Sequence, residues 1–349
     1  MGYVIHWTVV QGMRICLYLE AENISVSGIL TAFRQQVKAL KQVGVELTTD
    51  FKDDHDLLHL HRYGPKSLYY LKRARTRGRP VVITAHSTAE DFQNSFTLSN
   101  TFAPFIGWYL RFFYEQCDHI ITPSEYTRDL LRRHGTRGEF SVVSNGVDLE
   151  CNRFSAEKRR RFRETWGLEG PVALSVGRVF PRKGVIDFIK VAAQLPEVTF
   201  VWCGPRLNRL ISFYPEMERR IRERSPNVRF LGFVPDIQAA YAAADVFFFP
   251  SHEENQGIVL LESAAIGVPI VTRDLPVYQG WLVHGENCFK GKTVEEFRDH
   301  IQKLLDDEER RTALVAEGKQ LAETHRLERI GGQLVAVYRS LLDGSAESG

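Results

Sequence analysis

The chain contains no apolar run long enough to cross a bilayer, so no transmembrane helix is expected. Its first dozen residues lack the charged start and long apolar centre of a secretory leader. Met13 opens the first convincing strand, so residues 1–12 read as an extension or an early start codon. Cysteine is scarce: Cys16, Cys117, Cys151, Cys203 and Cys288 are odd in number, scattered, and never at metal-ligand spacing. They read as reduced, mostly buried thiols of a cytoplasmic protein rather than a disulfide framework. The net charge of +2 is too small to suggest a nucleic-acid partner. There is no P-loop, no Ser-His-Asp triad, no CxxC pair and no short repeat, and the only low-complexity stretch is the Ser/Gly-rich tail from Gly344.

What is present is an ordinary globular composition: 349 residues, 44% hydrophobic and 25% charged, enough for two separate cores. Strand and helix patterns alternate throughout. Strands are expected at Met13–Leu19, Leu57–His61, Val81–Ala85, Ile120–Thr122 and Phe140–Val143. Helices at about Ile29–Val43, Pro65–Thr76, Trp108–Cys117 and Thr127–His134 fall between them. A second set has strands at Val172–Val176, Thr199–Cys203, Val228–Leu231, Asp245–Phe249 and Pro269–Thr272. Its helices are at about Val185–Gln194, Tyr214–Arg224, Ile237–Ala243 and Gly257–Ile266. The join is Ser144-Asn145-Gly146-Val147-Asp148, followed by a polar basic stretch from Glu157 to Arg163. Three amphipathic helices close the chain, at about Val294–Leu305, Arg310–Ala322 and Arg326–Leu342. The fold class this predicts is α/β, with two Rossmann-like doubly wound domains facing each other across a cleft.

The most informative stretch is Ser251-His252-Glu253-Glu254-Asn255-Gln256-Gly257, between a buried strand and the helix that runs through Glu262. Strand-end loops in such sheets hold ligands. The first helical amides, near Gly257, Ile258 and Val259, lack helical acceptors and carry positive partial charge. A loop carboxylate (Glu254), free amides and a second carboxylate (Glu262) suit a ligand with a phosphate and many hydroxyls, such as a nucleotide sugar. The plainer alternative is a helix start whose acidic neighbours favour its dipole. Strand Val172–Val176 ends in Gly177-Arg178, and Lys183-Gly184 leads into the next helix. Arg178 and Lys183 thus form a candidate diphosphate clamp, Arg by forked hydrogen bonds and Lys as a point charge.

In the first half, Ser27-Gly28 precedes a helix and allows close backbone approach to a phosphate. His86, at the end of strand Val81–Ala85 and followed by Ser87, Thr88, Glu90 and Asp91, is a candidate active-site side chain. His59 and His61 alternate along a strand, His61 toward the cleft rim. Asp53-Asp54-His55-Asp56 resembles a metal-binding run but lies at a strand's amino end, and Asp306 to Glu309 reads as a solvated charge run. Residues 1–166 carry 23 Lys and Arg against 18 Asp and Glu. The densest cations are Lys72, Arg73, Arg75, Arg77 and Arg79, after Leu68-Tyr69-Tyr70-Leu71, a composition suited to an anionic membrane surface.

In order, Ser27-Gly28, His86-Ser87-Thr88, Asn145-Gly146-Val147-Asp148, Val176-Gly177-Arg178, Lys183-Gly184 and Glu254 to Glu262 resemble the retaining glycosyltransferases of family four, with the GT-B fold. Ala85–Ser95, Asp187-Phe188, Asp245–Ser251 and Arg273–Trp281 resemble the bacterial branch that glycosylates diacylglycerol or glycosyl-diacylglycerol. The resemblance implies an acceptor-side domain over residues 1–165, completed by a helix at about 327–343, and a nucleotide-sugar domain over residues 166–326. It implies that Arg178 and Lys183 hold the donor diphosphate, Glu262 the ribose diol and Glu254 the sugar hydroxyls. His86 would stand beside the transferred sugar and Gly28 near the phosphates, with the base near Gly232-Phe233-Val234 and Gln256, Gly257, Ile258 and Val259 completing the donor site. It further implies a UDP-sugar donor such as UDP-glucose, retention of configuration, no metal and a membrane glycerolipid acceptor. The enzyme would then be cytoplasmic and peripheral on the inner face of the membrane. Two departures stand out: Ser27 replaces the first of a usual glycine pair, and Asn255-Gln256-Gly257 replaces a common Gly-Phe-Gly, which leaves the hexose open. A soluble or polysaccharide acceptor, a sugar-nucleotide epimerase and a lectin-like protein are the alternatives.

Overall fold

The computed structural model describes residues 12–20, 28–92, 99–206 and 214–346. The chain divides into two compact units. The first comprises residues 1–89, 104–146 and 325–349, and the second residues 90–103 and 147–324.

The first unit holds a parallel six-stranded sheet of β1 (Arg14–Tyr18), β2 (Glu46–Thr48), β3 (Leu57–Leu60), β4 (Val81–Thr84), β5 (His119–Thr122) and β6 (Phe140–Val142), in the order β2-β1-β3-β4-β5-β6. Strands β3 and β4 are buried along their whole length, as expected of a parallel sheet covered on both faces. The unit's helices are α1 (Gly28–Gln42), α2 (Pro65–Arg75), most of α4 (Ser99–Tyr114) and α5 (Glu125–Arg133), while α3 (Ala89–Phe92), from Glu90 on, and the first turn of α4 fall in the residues assigned to the second unit. The second unit holds α6 (Ala156–Trp166) and a parallel sheet of β7 (Val172–Val176), β8 (Thr199–Cys203), β9 (Val228–Gly232), β10 (Val246–Phe249), β11 (Ile270–Arg273) and β12 (Phe289–Gly291). Its order is β12-β11-β10-β7-β8-β9. Around this sheet lie α7 (Val185–Ala192), α8 (Pro215–Arg222), α9 (Ile237–Ala243), α10 (Ile258–Ile266), α11 (Val294–Asp306) and α12 (Glu308–Thr324). The last helix, α13 (Leu327–Ala346), packs on α1 in the first unit. That approach is close enough that a Cβ at Gly331 would stand 2.4 Å from the Ala39 carbonyl oxygen, so only glycine fits.

Several elements differ from the sequence expectation. Edge strands β2 and β12 are only three residues long, too short to show an alternating pattern. Helix α4 begins at Ser99 rather than Trp108, because Pro104, which reads as a stop, is carried inside it. The basic stretch at the join is helix α6, not a polar linker. Its Ser155 cap accepts from the Lys158 amide at 3.2 Å. Its cations are matched by carboxylates: Lys158 by Asp236, Arg159 and Arg163 by Asp245, Arg160 by Glu164 and Arg161 by Glu157. Among the described residues no helix is long and apolar enough to cross a membrane.

Candidate active site

In the second unit, sheet order brings two strand-end loops together. β7 and β10 are neighbours, and β7 leads through Gly177-Arg178 into one turn of 3-10 helix at Pro181–Lys183. Trp202 of β8 donates its indole N–H to the Gly177 carbonyl at 2.7 Å and so fixes the backbone beside Arg178. Gly184 has φ 77°, and a Cβ there would stand 2.2 Å from the Pro250 carbonyl oxygen. The missing side chain is therefore what lets Lys183 reach the loop after β10.

Lys183 Nζ donates to Glu254 Oε1 at 2.5 Å, and Ser251 Oγ donates to the same oxygen at 2.7 Å. Burial opposes ionisation of Glu254, but Lys183, Arg182 and the Ser251 hydroxyl outweigh it and hold the carboxyl below its usual range. Burial also pulls the Lys183 ammonium below its usual value, and Glu254 offsets this only in part. Arg182 donates to Asp91 at 3.1 Å and to the Glu253 carbonyl at 2.8 Å, while its own carbonyl accepts from the His252 amide at 2.7 Å. Asn255 also donates to Asp91. Behind the loop, Arg273 and His252 both engage Asp187, and Arg273 donates to the Pro250 carbonyl at 3.2 Å. The carboxylate loop is thus braced at Pro250, Ser251, His252, Glu253 and Asn255, which leaves Glu254 little freedom.

Helix α10 starts after Gly257, whose φ is 87°, and no side chain caps it. The first amides, at Ile258 and Val259, therefore keep their donor capacity toward the strand-end face. Gln256 is buried beside them. Glu262 is the fifth residue of α10, so it lies little more than one turn in. It accepts from the Tyr241 hydroxyl of α9 at 2.9 Å, and burial raises its carboxyl against that hydrogen bond. Val234 is half-buried after β9, beside Phe233, which is 58% exposed.

In the first unit, Gly28 opens α1 with open space around its Cα, whereas Ser27 lies outside the described residues. His86 follows β4, partly buried, and its Nε2 stands 3.1 Å from His61 Nδ1. His61 is itself buried. His59 is tied at both nitrogens, to the Tyr338 hydroxyl at 2.7 Å and Thr84 Oγ1 at 2.8 Å. The acidic run is structural. Thr48 donates to Asp53 at 2.5 Å, Arg79 to Asp54 at 2.6 Å, and the Arg14 amide to Asp56 at 2.7 Å. Among the described residues no group of three or more His, Cys, Asp or Glu is arranged to hold a metal ion.

Sequence reasoning missed Tyr241 and Trp202 as neighbours of this site, and it gave Ser251, Arg182 and Asp91 no role beside Lys183 and Glu254. Arg182 and Ser251 carried a local signal, standing beside Lys183 and three positions before Glu254. The others are brought in by sheet order or by the turn of the loop itself.

The family described as Glycosyltransferase Family 4 matches residues 26–151, and that described as Glycosyl transferases group 1 matches residues 157–321. The chain is 36% identical to a processive diacylglycerol alpha-glucosyltransferase of Acholeplasma laidlawii, across 95% of this chain and 99% of that one. The chain belongs to glycosyltransferase family 4. It is also 27% identical to an alpha-galactosylglucosyldiacylglycerol synthase of Streptococcus pneumoniae, over 83% of this glycosyltransferase and 79% of the relative. Among solved structures, Anabaena HepE in complex with UDP-glucose superposes with a TM-score of 0.76 at 19% identity, over 94% of this chain and 100% of the other. The sucrose-phosphate synthase of Thermosynechococcus elongatus gives 0.78 at 19% identity, over 95% and 100%. At that identity the likeness speaks to fold alone, and it agrees with the two parallel sheets: the glycosyltransferase has the α/β, two-domain GT-B fold.

Proposed function

We propose that this glycosyltransferase moves a hexose from a UDP-sugar, UDP-glucose foremost, to diacylglycerol or a glycosyl-diacylglycerol, with retention of configuration and without a metal. The observation that carries this reading is the near full-length likeness to a processive diacylglycerol alpha-glucosyltransferase. The site's chemistry agrees with it. In this reading the donor diphosphate takes the charge of Lys183 and the forked donors of Arg178, with the first amides of α10 completing the anion site. Glu254, released from Lys183, accepts from sugar hydroxyls, and Glu262 accepts from the ribose diol. His86 stands beside the transferred sugar. The leaving diphosphate accepts the acceptor's proton, so the chain supplies charge and position rather than a covalent nucleophile.

A lipid hydroxyl sits at the membrane interface, and among the described residues no helix is long and apolar enough to span a bilayer, so in this reading the enzyme docks peripherally. On α4, Phe105 and Trp108 are 65% and 61% exposed, with Phe112 one turn further, while Leu110, Phe113 and Tyr114 fill the core. Such an aromatic row favours the interface of a bilayer. Lys72 and Arg73 on α2 are exposed cations of the same unit. Their neighbours are partly engaged: Arg75 donates to the Gln116 carbonyl, Arg77 lies over Phe51, and Arg79 pairs with Asp54. The test is mass spectrometry of lipids after incubation with vesicles containing diacylglycerol and a panel of sugar nucleotides. A hexosyl-diacylglycerol is expected, and transfer only to soluble sugars would overturn the acceptor.

A further inference from the structure

We infer that His61 is a positioning residue that fixes the ring plane and tautomer of His86, holding His86 in its Nδ1–H form. The inference rests on the reading that places His86 beside the transferred sugar. His61 follows β3 and His86 follows β4, and these strands are parallel neighbours. His61 Nδ1 meets His86 Nε2 at 3.1 Å, with the rings stacked and their centroids 5.3 Å apart. Burial, and then the neighbouring Arg62, depress His86 to about 3. His61 is depressed well below its ordinary value by burial, then by His59 and His86. Both rings are therefore neutral near pH 7, and a neutral pair at this distance needs one donor and one acceptor.

Two arrangements satisfy that need, and they leave different costs. If His86 Nε2–H donates, His61 carries its own proton on Nε2. If His61 Nδ1–H donates, His61 Nε2 is a bare lone pair and His86 carries its proton on Nδ1. His61 Nε2 is buried without a hydrogen-bond partner. A buried orphan N–H is rarer and costlier than an under-used acceptor, so the second arrangement is selected. His61 cannot rotate to escape. Phe33 meets its ring edge-on at 5.1 Å and the His59 ring lies 4.5 Å away. His59 is itself locked by Tyr338 of α13 and by Thr84. The C-terminal helix thereby reaches the candidate active site through a chain of rings. With the His86 tautomer set, its Nδ1 carries the proton and acts as a donor.

The test is a two-bond ¹⁵N–¹H correlation spectrum of the full chain labelled at histidine, with His86→Gln to assign the signal. In the wild type His86 is expected as the Nδ1–H tautomer. His61→Asn, whose amide N–H overlays Nδ1, keeps that form, whereas His61→Phe keeps the ring and loses it. Sugar transfer, as kcat/KM for the donor, falls about tenfold in His61→Phe and is restored in His61→Asn. An Nε2–H signal in the wild type, or an unchanged His86 signal in His61→Phe, overturns the inference, and the wild-type spectrum decides even if the Phe variant fails to fold. Full activity in His86→Gln instead overturns the role of His86 and leaves the tautomer result standing.

Discussion

Lys183 Nζ lies 2.5 Å from Glu254 Oε1, with Glu254 buried and Lys183 half-buried. The loop proposed for the donor diphosphate and the loop proposed for the sugar therefore neutralise one another. Neither charge is left unpaired in a low-dielectric site.

This pairing predicts a non-additive stability cycle. Lys183→Met strands a buried carboxylate and is expected to cost about 3–5 kcal/mol. Adding Glu254→Gln removes the stranded charge, so the double variant should be more stable than Lys183→Met alone. Urea titration of the four proteins measures the coupling, and simple additivity would refute it. The pH sign follows from the depressed carboxyl: the stability Glu254 contributes is present above its usual 4.5 and is lost as pH falls through its folded value.

Binding should separate the same two residues. Lys183→Ala and Arg178→Ala remove counter-charges from the diphosphate and should each weaken UDP binding. Glu254→Gln should spare UDP while reducing transfer, because its expected partner is the sugar. Equal loss of UDP affinity in Glu254→Gln and Lys183→Ala, by calorimetry, would show that the roles are wrongly assigned. The alkaline limb of the transfer profile should also lie below 10.5, since burial lowers the Lys183 ammonium.

Tyr241→Phe tests Glu262, the proposed ribose carboxylate, without touching it. The hydroxyl at 2.9 Å opposes the upward pull of burial on Glu262, so its loss raises that carboxyl further. Because the folded value is raised, ionised Glu262 costs stability above it, and that cost disappears as pH falls through it. UDP affinity of the variant should therefore begin to fall at a higher pH than in the wild type. Superimposable profiles would remove Tyr241 from the site.

Gly184→Ala should destabilise the second unit while barely changing composition. The new Cβ meets the Pro250 carbonyl at 2.2 Å in backbone with φ 77°, a strain of about 1–3 kcal/mol before any clash is relieved. Thermal unfolding and transfer assays should both register it, since relief moves Lys183 away from Glu254. A wild-type midpoint with wild-type activity would show the contact to be loose.

Phe105→Ser with Trp108→Ser should release the chain from vesicles while leaving its unfolding midpoint unchanged, because both rings are mainly exposed. Sedimentation with anionic vesicles should show binding that weakens with salt. A wild type that ignores such vesicles would favour a soluble acceptor. Transfer should also persist in EDTA, because Lys183 and Arg178 are read as the diphosphate's counter-charges; loss reversed by Mg²⁺ would reinstate a metal.

Much of this was written in the sequence. Alternating buried strands and amphipathic helices, such as Val172–Val176 and Val185–Ala192, gave the α/β class because their periodicity is local. The place of Glu254, Arg178 and Lys183 after strand ends was legible because the strands β7 and β10 are near-continuous apolar runs bounded by polar loops, whatever the strand order. Tertiary structure decided which of these residues meet. Lys183 and Glu254 are 71 positions apart in the chain and touch only because β7 lies beside β10 and Gly184 has no side chain to hold the loops apart. Tyr241 reaches Glu262, and His61 reaches His86, for the same kind of reason: the neighbours are set by packing across crossovers, and no spacing along the chain encodes a distance across a sheet.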